Sequence, residues 1–343
     1  MGFEAGTVGT AIDQRLRLAF SAAAPVDAAT ALGVAHCRAV VSEPGPFRRD
    51  HWKALAKVGQ QLLAAIKVTV ADLDLDARGE PMLRSDEDEQ RLARMLLAAA
   101  WYALSYRVPI AFIDTPLFQA AIQHPRRFTL KSLLEVPHRD LVADVQAQLD
   151  LAEASPLAAL RARSTSGRCS PGPVFDGSAD VTADADLIVD GVLIDFKSTR
   201  RVHDFPLVTM HQLLGYVLMD YSDQYEIDEV GMYLTRAGAL VTWPLEDYLA
   251  LLGTRRRDLG ELRTAFAALL GYRGCRADND PLPEQQFGVD QLLVDLAPVI
   301  PDECCRVCGV PLAQNMFRSN ARKYCSRFCS GRAHTLRRHG WLD

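Results

Sequence analysis

The chain has 343 residues, 49% of them apolar and 24% charged, with a formal net charge of −5. That balance sits near the globular average and excludes a disordered chain, and at about 150 residues per domain it leaves room for two domains. The longest uninterrupted apolar run, Met95 to Leu104, is ten residues, half of the roughly 20 that a bilayer-spanning helix needs.

The first residues, MGFEAGTVGT, carry neither the basic stretch nor the apolar core of a secretory signal. The expected setting is therefore cytoplasmic, with no membrane partner. From about Thr10 to Ala154 the segments RLRLAF, HWKALAKVGQQLLAAIK, EQRLARMLLAAAWYAL and DLVADVQAQLDLAEA place apolar residues three and four apart. This spacing predicts helices. SEPGPFRRD and DLDLDARGEPMLRSDEDE are polar and rich in turn residues, so they are read as loops. The acidic DEDE suits the N-terminus of the helix that follows it.

Between Ala162 and Ser178 the sequence RSTSGRCSPGPVFDGS reads as a loop. Two β segments come next, then a helix at about Leu207–Tyr221. Strand-like segments follow around Val230–Leu234 and Leu240–Trp243, and a helical stretch runs from Leu245 to Leu270. RADNDPLPEQQ reads as a linker. The expected division is a single domain over 1–272, with a helical insertion at about 25–165 and a core at about 175–243. A linker over 273–303 then leads to a small tail over 304–343.

The two β segments are the most informative part of the chain. Asp190-Gly191 between alternating apolar residues predicts a two-residue hairpin. With that turn, cross-strand partners have position numbers that sum to 381, an arithmetic consequence of the numbering. Ala185, Leu187, Val189, Val192, Ile194 and Phe196 then share one apolar face, which should be buried. The opposite face carries Asp184, Asp186, Ile188, Leu193, Asp195 and Lys197, with Asp186 directly across from Asp195 and Asp184 across from Lys197.

Opposed side chains on paired strands are about 5 Å apart at Cβ. Two carboxylates at that separation repel unless a cation lies between them, and hard oxygen ligands suit Mg²⁺ or Mn²⁺. Lys197, on the same face, could steady an oxyanion or a nucleophilic water. The competing reading is an ordinary half-exposed hairpin whose acids are solvated.

Asp186, Asp195-Phe-Lys197 and the following helix resemble the PD-(D/E)XK nuclease superfamily. Gln212-Leu-Leu-Gly-Tyr216 is similar to the Gln-x-x-x-Tyr signature of its RecB-type branch, and the four-residue spacing puts both side chains on one helix face. Gly9-Thr-Ala-Ile-Asp13-Gln-Arg-Leu16 resembles the N-terminal helix motif of that branch, with Asp13 where histidine is usual. The matches run in the order of the branch and span about 9–243.

The resemblance implies an α/β, restriction-endonuclease-like fold, a mixed central sheet flanked by helices, and hydrolysis of nucleic-acid phosphodiesters. DNA is the substrate favoured by the branch. On the same basis Asp186, Asp195 and the Phe196 carbonyl are expected to bind Mg²⁺ or Mn²⁺, with Asp13 as a further metal ligand. Lys197 would position the attacking water or stabilise the transition state, Gln212 would support the hairpin, and Tyr216 would lie near the substrate backbone. Asp184 also fits the first-acid position, and Asp180 sits nearby; register favours Asp186 and makes Asp184 the partner of Lys197. A nuclease fold that has lost catalysis and only binds nucleic acid is the alternative, and Asp13 is the residue that favours it.

Five of the eight cysteines (Cys304, Cys305, Cys308, Cys325, Cys329) fall within 26 residues near the C-terminus. In a cytosolic chain such clustering argues for metal over disulfides. Cys305-x₂-Cys308-x₁₆-Cys325-x₃-Cys329 has the spacing of two knuckles around a structural Zn²⁺. Cys304 competes with Cys305 for the first place, and His334 and His339 are possible substitutes. An iron–sulfur cluster using Cys37, as in some RecB-type relatives, is disfavoured by the two tidy pairs. Arg-Lys-Tyr-Cys-Ser also resembles short bacterial zinc fingers. The tail over 301–343 holds eight Lys/Arg against three acids. Arg322, Lys323, Arg327 and Arg332, interleaved with aromatics, suit phosphate contact and base stacking. Protein partners are not legible.

Overall fold

The computed structural model describes residues 2–42, 49–179, 181, 183–203, 205–253, 258–273, 287, 304–307, 311–312 and 323–338. Among the described residues, nine helices precede the sheet: α1 (Gly2–Phe20), α2 (Ala28–Ser42), α3 (Arg49–Leu73), α4 (Asp86–Arg107), α5 (Pro109–Phe112), α6 (Pro116–Gln123), α7 (Leu130–Glu135), α8 (Arg139–Glu153) and α9 (Pro156–Arg163). The strands are β1 (Cys169–Pro171), β2 (Leu187–Val189), β3 (Val192–Lys197), β4 (Glu229–Leu234) and β5 (Ala239–Pro244). Helix α10 (Leu207–Met219) lies between β3 and β4. Helices α11 (Leu245–Leu251), α12 (Leu259–Arg273) and α13 (Arg327–Arg338) follow β5.

These strands form one open mixed sheet in the order β1-β2-β3-β4-β5. β1 pairs antiparallel with β2, β2 antiparallel with β3, and β3 parallel with β4 from Val192↔Glu229 to Lys197↔Leu234. The protein is therefore of mixed α/β class.

Chain compactness divides the protein into two units, and the division differs from the expected one. One unit contains 1–173, 185–206 and 229–242, and the other contains 174–184, 207–228 and 243–343. The expected core over 175–243 is thus shared out between them. The reason is topological: a parallel β3–β4 pair needs a crossover connection, and this one carries α10, which packs with α12 and the 3₁₀ turn Asp176–Ala179.

In the first unit the helices and the sheet share one core. Val8, Ile12 and Leu16 of α1, Leu92, Leu96 and Trp101 of α4, and Val145 and Leu149 of α8 join Leu187, Val189, Ile194, Phe196 and Tyr233 from the strands. The long segment read as an insertion is thus part of the same hydrophobic core as the hairpin. Ser85 caps α4 by accepting the Asp88 N–H, and Asp86–Glu89 fill its first turn, where carboxylates oppose the positive end of the helix dipole.

Over Asp50–Leu73, α3 is long and apolar enough to cross a bilayer by length and composition alone. It buries Leu55, Val58, Leu62, Ile66 and Val70, a stripe at three- and four-residue spacing, against α2, α4, α6 and α7. That is the pattern of an amphipathic core helix.

α2 and α4 approach closely at Gly33, where an added Cβ would lie 1.8 Å from the Tyr102 carbonyl oxygen. Farther along, buried Arg161 of α9 donates to the carbonyls of Ala19, Leu75, Ala77 and Glu80 at 2.6–3.1 Å. One guanidinium thereby gathers the end of α1 and the turn after α3.

Candidate functional site

The hairpin turn has the left-handed backbone that Asp-Gly favours, with φ of 48° at Asp190 and 86° at Gly191. β2 and β3 pair in the predicted register, Leu187↔Ile194, Ile188↔Leu193 and Val189↔Val192. The apolar face is buried as expected, except at half-buried Val192. Ile188 and Leu193 on the opposite face are buried too, at 2% and 0% exposure, so the hairpin is covered on both sides and the half-exposed reading does not hold.

One step further in the same register sets Asp186 opposite Asp195, and there the ladder changes character. Pairs that exchange hydrogen bonds alternate along an antiparallel ladder, so the Phe196 N–H would next go to Ala185. It donates instead to Asp186 Oδ2 at 2.5 Å, and the carboxylate is held at the strand end by its neighbour's backbone. The backbone carbonyl of Asp186 accepts the Gly172 N–H at 2.9 Å. The Phe196 N–H thus belongs to the site as well, on the residue whose carbonyl is expected to bind the metal.

Asp195 is buried, and its Oδ2 faces Lys197. Lys197 Nζ lies 2.6 Å from that oxygen as an ion pair. Both side chains point to the same side of β3 because they are two residues apart. Burial, and then the neighbouring Asp186 charge, push the Asp195 carboxyl up to about 7 against the opposing pull of Lys197. Lys197 is the most open member of the group at 31% side-chain exposure.

α1 supplies the rest. Asp13 and Arg17 are one helical turn apart and form an i,i+4 pair, with Arg17 Nε 2.9 Å from Asp13 Oδ1 and Arg17 Nη2 2.8 Å from Asp13 Oδ2. The same Nη2 lies 2.6 Å from Asp186 Oδ1. Asp27, whose side chain accepts the Thr30 N–H at the start of α2, lies 3.8 Å from Arg17 Nη1. Burial and the nearby Asp186 push the Asp13 carboxyl well up, with Arg17 pulling the other way. Asp13, Asp186, Asp195 and Lys197 are thus brought together in one unit. Arg17 and Asp27 complete the cluster, although no motif marks them.

A further residue without a motif is Gln148 of α8, which is buried. Its Oε1 accepts from Ser198 Oγ at 2.8 Å and from Thr235 Oγ1 at 2.5 Å, at the ends of the parallel strands β3 and β4. Arg236 grips Asp144 of the same helix with two bonds at 2.6 and 2.7 Å. α8 therefore fixes the strand ends that carry Lys197.

Gln212 and Tyr216 belong to the second unit. Gln212 Nε2 donates to Tyr216 Oη at 2.6 Å, which agrees with their shared helix face. Tyr216 is buried and stacks on Phe175 with ring centroids 5.9 Å apart.

In the tail, Cys305, Cys325 and Cys329 bring their sulfurs within 4.8 Å of one another and could hold a metal ion. The Cys325 and Cys329 sulfurs are 3.6 Å apart, close to the about 3.8 Å edge of a tetrahedron with metal–sulfur bonds near 2.3 Å. Cys305, not Cys304, joins this cluster. Cys308 and Arg322 lie outside the described residues, as do Asp180, Cys275 and His339. Lys323 and Arg327 are exposed, and Arg337 lies over the Tyr324 ring at 5.6 Å. Arg332 lies in α13.

No protein-family model, curated protein or solved structure matches the chain.

Proposed function

We propose that the protein is a metal-dependent nuclease that hydrolyses phosphodiester bonds of DNA, with a zinc-bound basic tail assisting substrate binding. The observation that carries this reading is the acid pair of half-buried Asp186 and buried Asp195, with Lys197 on the same face. A restriction-endonuclease-like core is the fold this reading entails.

The donor set fits a divalent cation. Asp13, Asp27 and Asp186 gather around Arg17, and buried Asp195 has Lys197 Nζ 2.6 Å from its Oδ2. A buried excess of negative charge is costly unless it is neutralised. Asp186 and Asp195, with Asp13 beside them, would hold Mg²⁺ or Mn²⁺. That ion would supply Lewis-acid activation of the phosphodiester and its attacking water.

The chain's own residues do the rest. The Phe196 N–H fixes Asp186. Lys197, open to solvent at one side, donates to the phosphate oxygen as charge builds on it. Gln148 holds the strand ends in place. In the tail, Cys305, Cys325 and Cys329 with Cys308 would hold Zn²⁺, and Lys323, Arg327 and Arg332 would meet the phosphate backbone.

The test is incubation of linear single- and double-stranded DNA with the protein in Mg²⁺, Mn²⁺ or EDTA. Cleavage in metal, none in EDTA and none by Asp195→Asn is the expected result. A second reading is favoured by Arg17, which already bridges Asp13 and Asp186: a non-catalytic protein that binds nucleic acid. It predicts metal-independent DNA retention without cleavage in the same assay.

A further inference from the structure

We infer that Arg17 is a built-in cation of the acidic cluster, filling the place between Asp13 and Asp186, so that the site takes a single divalent ion on its Asp195 side. This rests on the nuclease reading of the cluster and adds to it the number of ions and the residue that sets that number.

The argument starts from geometry. Arg17 engages both oxygens of Asp13, at 2.9 and 2.8 Å, and its Nη2 also reaches Asp186 Oδ1 at 2.6 Å. A guanidinium is planar, always charged and matched to the carboxylate edge, so these contacts use the sides of Asp13 and Asp186 that a second ion would need. The other Asp186 oxygen receives the Phe196 N–H and keeps a second lone pair for the ion shared with Asp195. The clamp is built into the fold from three directions. Asp13 lies one turn away on the same helix, and Asp27 stands near Nη1. At Gly172, where φ is +60°, an added Cβ would lie 3.0 Å from Nη1. A side chain there would crowd the guanidinium.

Replacing Arg17 by a neutral side chain of similar length removes one positive charge and frees the Asp13–Asp186 side for a second ion.

The experiment counts Mn²⁺ by electron paramagnetic resonance of the free ion, in full-length protein whose tail has been saturated with Zn²⁺. Wild type and Arg17→Met are titrated side by side. One Mn²⁺ per chain in wild type and two in Arg17→Met is the expected result. One in both overturns the inference and leaves the metal site of the nuclease reading intact. Two in wild type also overturns it, as does none in wild type with one in the variant. None in either removes the metal site itself, and the nuclease reading falls with the inference. If Arg17→Met unfolds without metal, circular dichroism during Mn²⁺ addition reads the same point. Recovery of helix is expected, and no recovery at a concentration that saturates wild type contradicts the role assigned to Arg17.

Discussion

Arg17 and Asp186 are 169 positions apart in the chain and meet with 2.6 Å between Nη2 and Oδ1. This pair joins the N-terminal helix to the hairpin, and it places a permanent positive charge beside two acids that would otherwise repel. Asp195 completes the group as a buried carboxylate paired with Lys197.

That charge makes stability depend on pH. The Asp195 carboxyl is raised to about 7 in the folded protein, above the about 3.9 of an unfolded aspartate. A raised pKa means that the folded state binds the extra proton, so its contribution is complete below about 4 and is lost as pH rises through about 7. Metal-free protein is therefore expected to lose urea stability between about pH 4 and about pH 7.5, and Asp195→Asn to flatten that slope. An unchanged slope in the variant would contradict the assignment.

Arg161 stabilises the first unit through four backbone carbonyls. Arg161→Met fills a similar volume but strands those acceptors. A loss of about 4 kcal/mol is expected, from about 1 kcal/mol for each of the four hydrogen bonds, and it is read as a lower urea midpoint.

At Gly33 an added methyl meets backbone, not a movable side chain. Gly33→Ala must push α2 away from α4, at an expected cost of about 3 kcal/mol or more. Thermal unfolding of the variant checks this.

In the tail, Cys329→Ser removes one of three converging sulfurs. Elemental analysis is expected to find about one zinc per chain in the parent protein and none in the variant. DNA affinity should fall with it, since so small a segment depends on its metal to fold.

The hairpin is legible because its signals are local. Asp190-Gly191 determines the turn, the turn determines the register, and the register places Asp186 opposite Asp195. The acidic first turn of α4 is legible for the same reason. α2 is harder to see, since AATALGVAHCRAVVS is made largely of small residues and gives no strong polar-to-apolar contrast. β1, three residues in a stretch rich in glycine and proline, reads as loop until β2 pairs with it. Arg17, Asp27 and Gln148 have no motif at all, and only the folding of α1, α2 and α8 around the strand ends gives them partners. The two-unit division is hidden because it follows the path of the crossover, not any change in composition.

The most direct test of the central claim is single-turnover cleavage of labelled linear DNA by wild type and Lys197→Ala in Mg²⁺, with DNA binding measured in parallel. Lys197 is partly exposed and pairs with Asp195 at the edge of the site, so the variant is expected to fold and to retain DNA while cleavage falls by at least about 100-fold, the scale of losing one transition-state donor. Cleavage at the wild-type rate by Lys197→Ala would contradict the assignment of this hairpin as the active site.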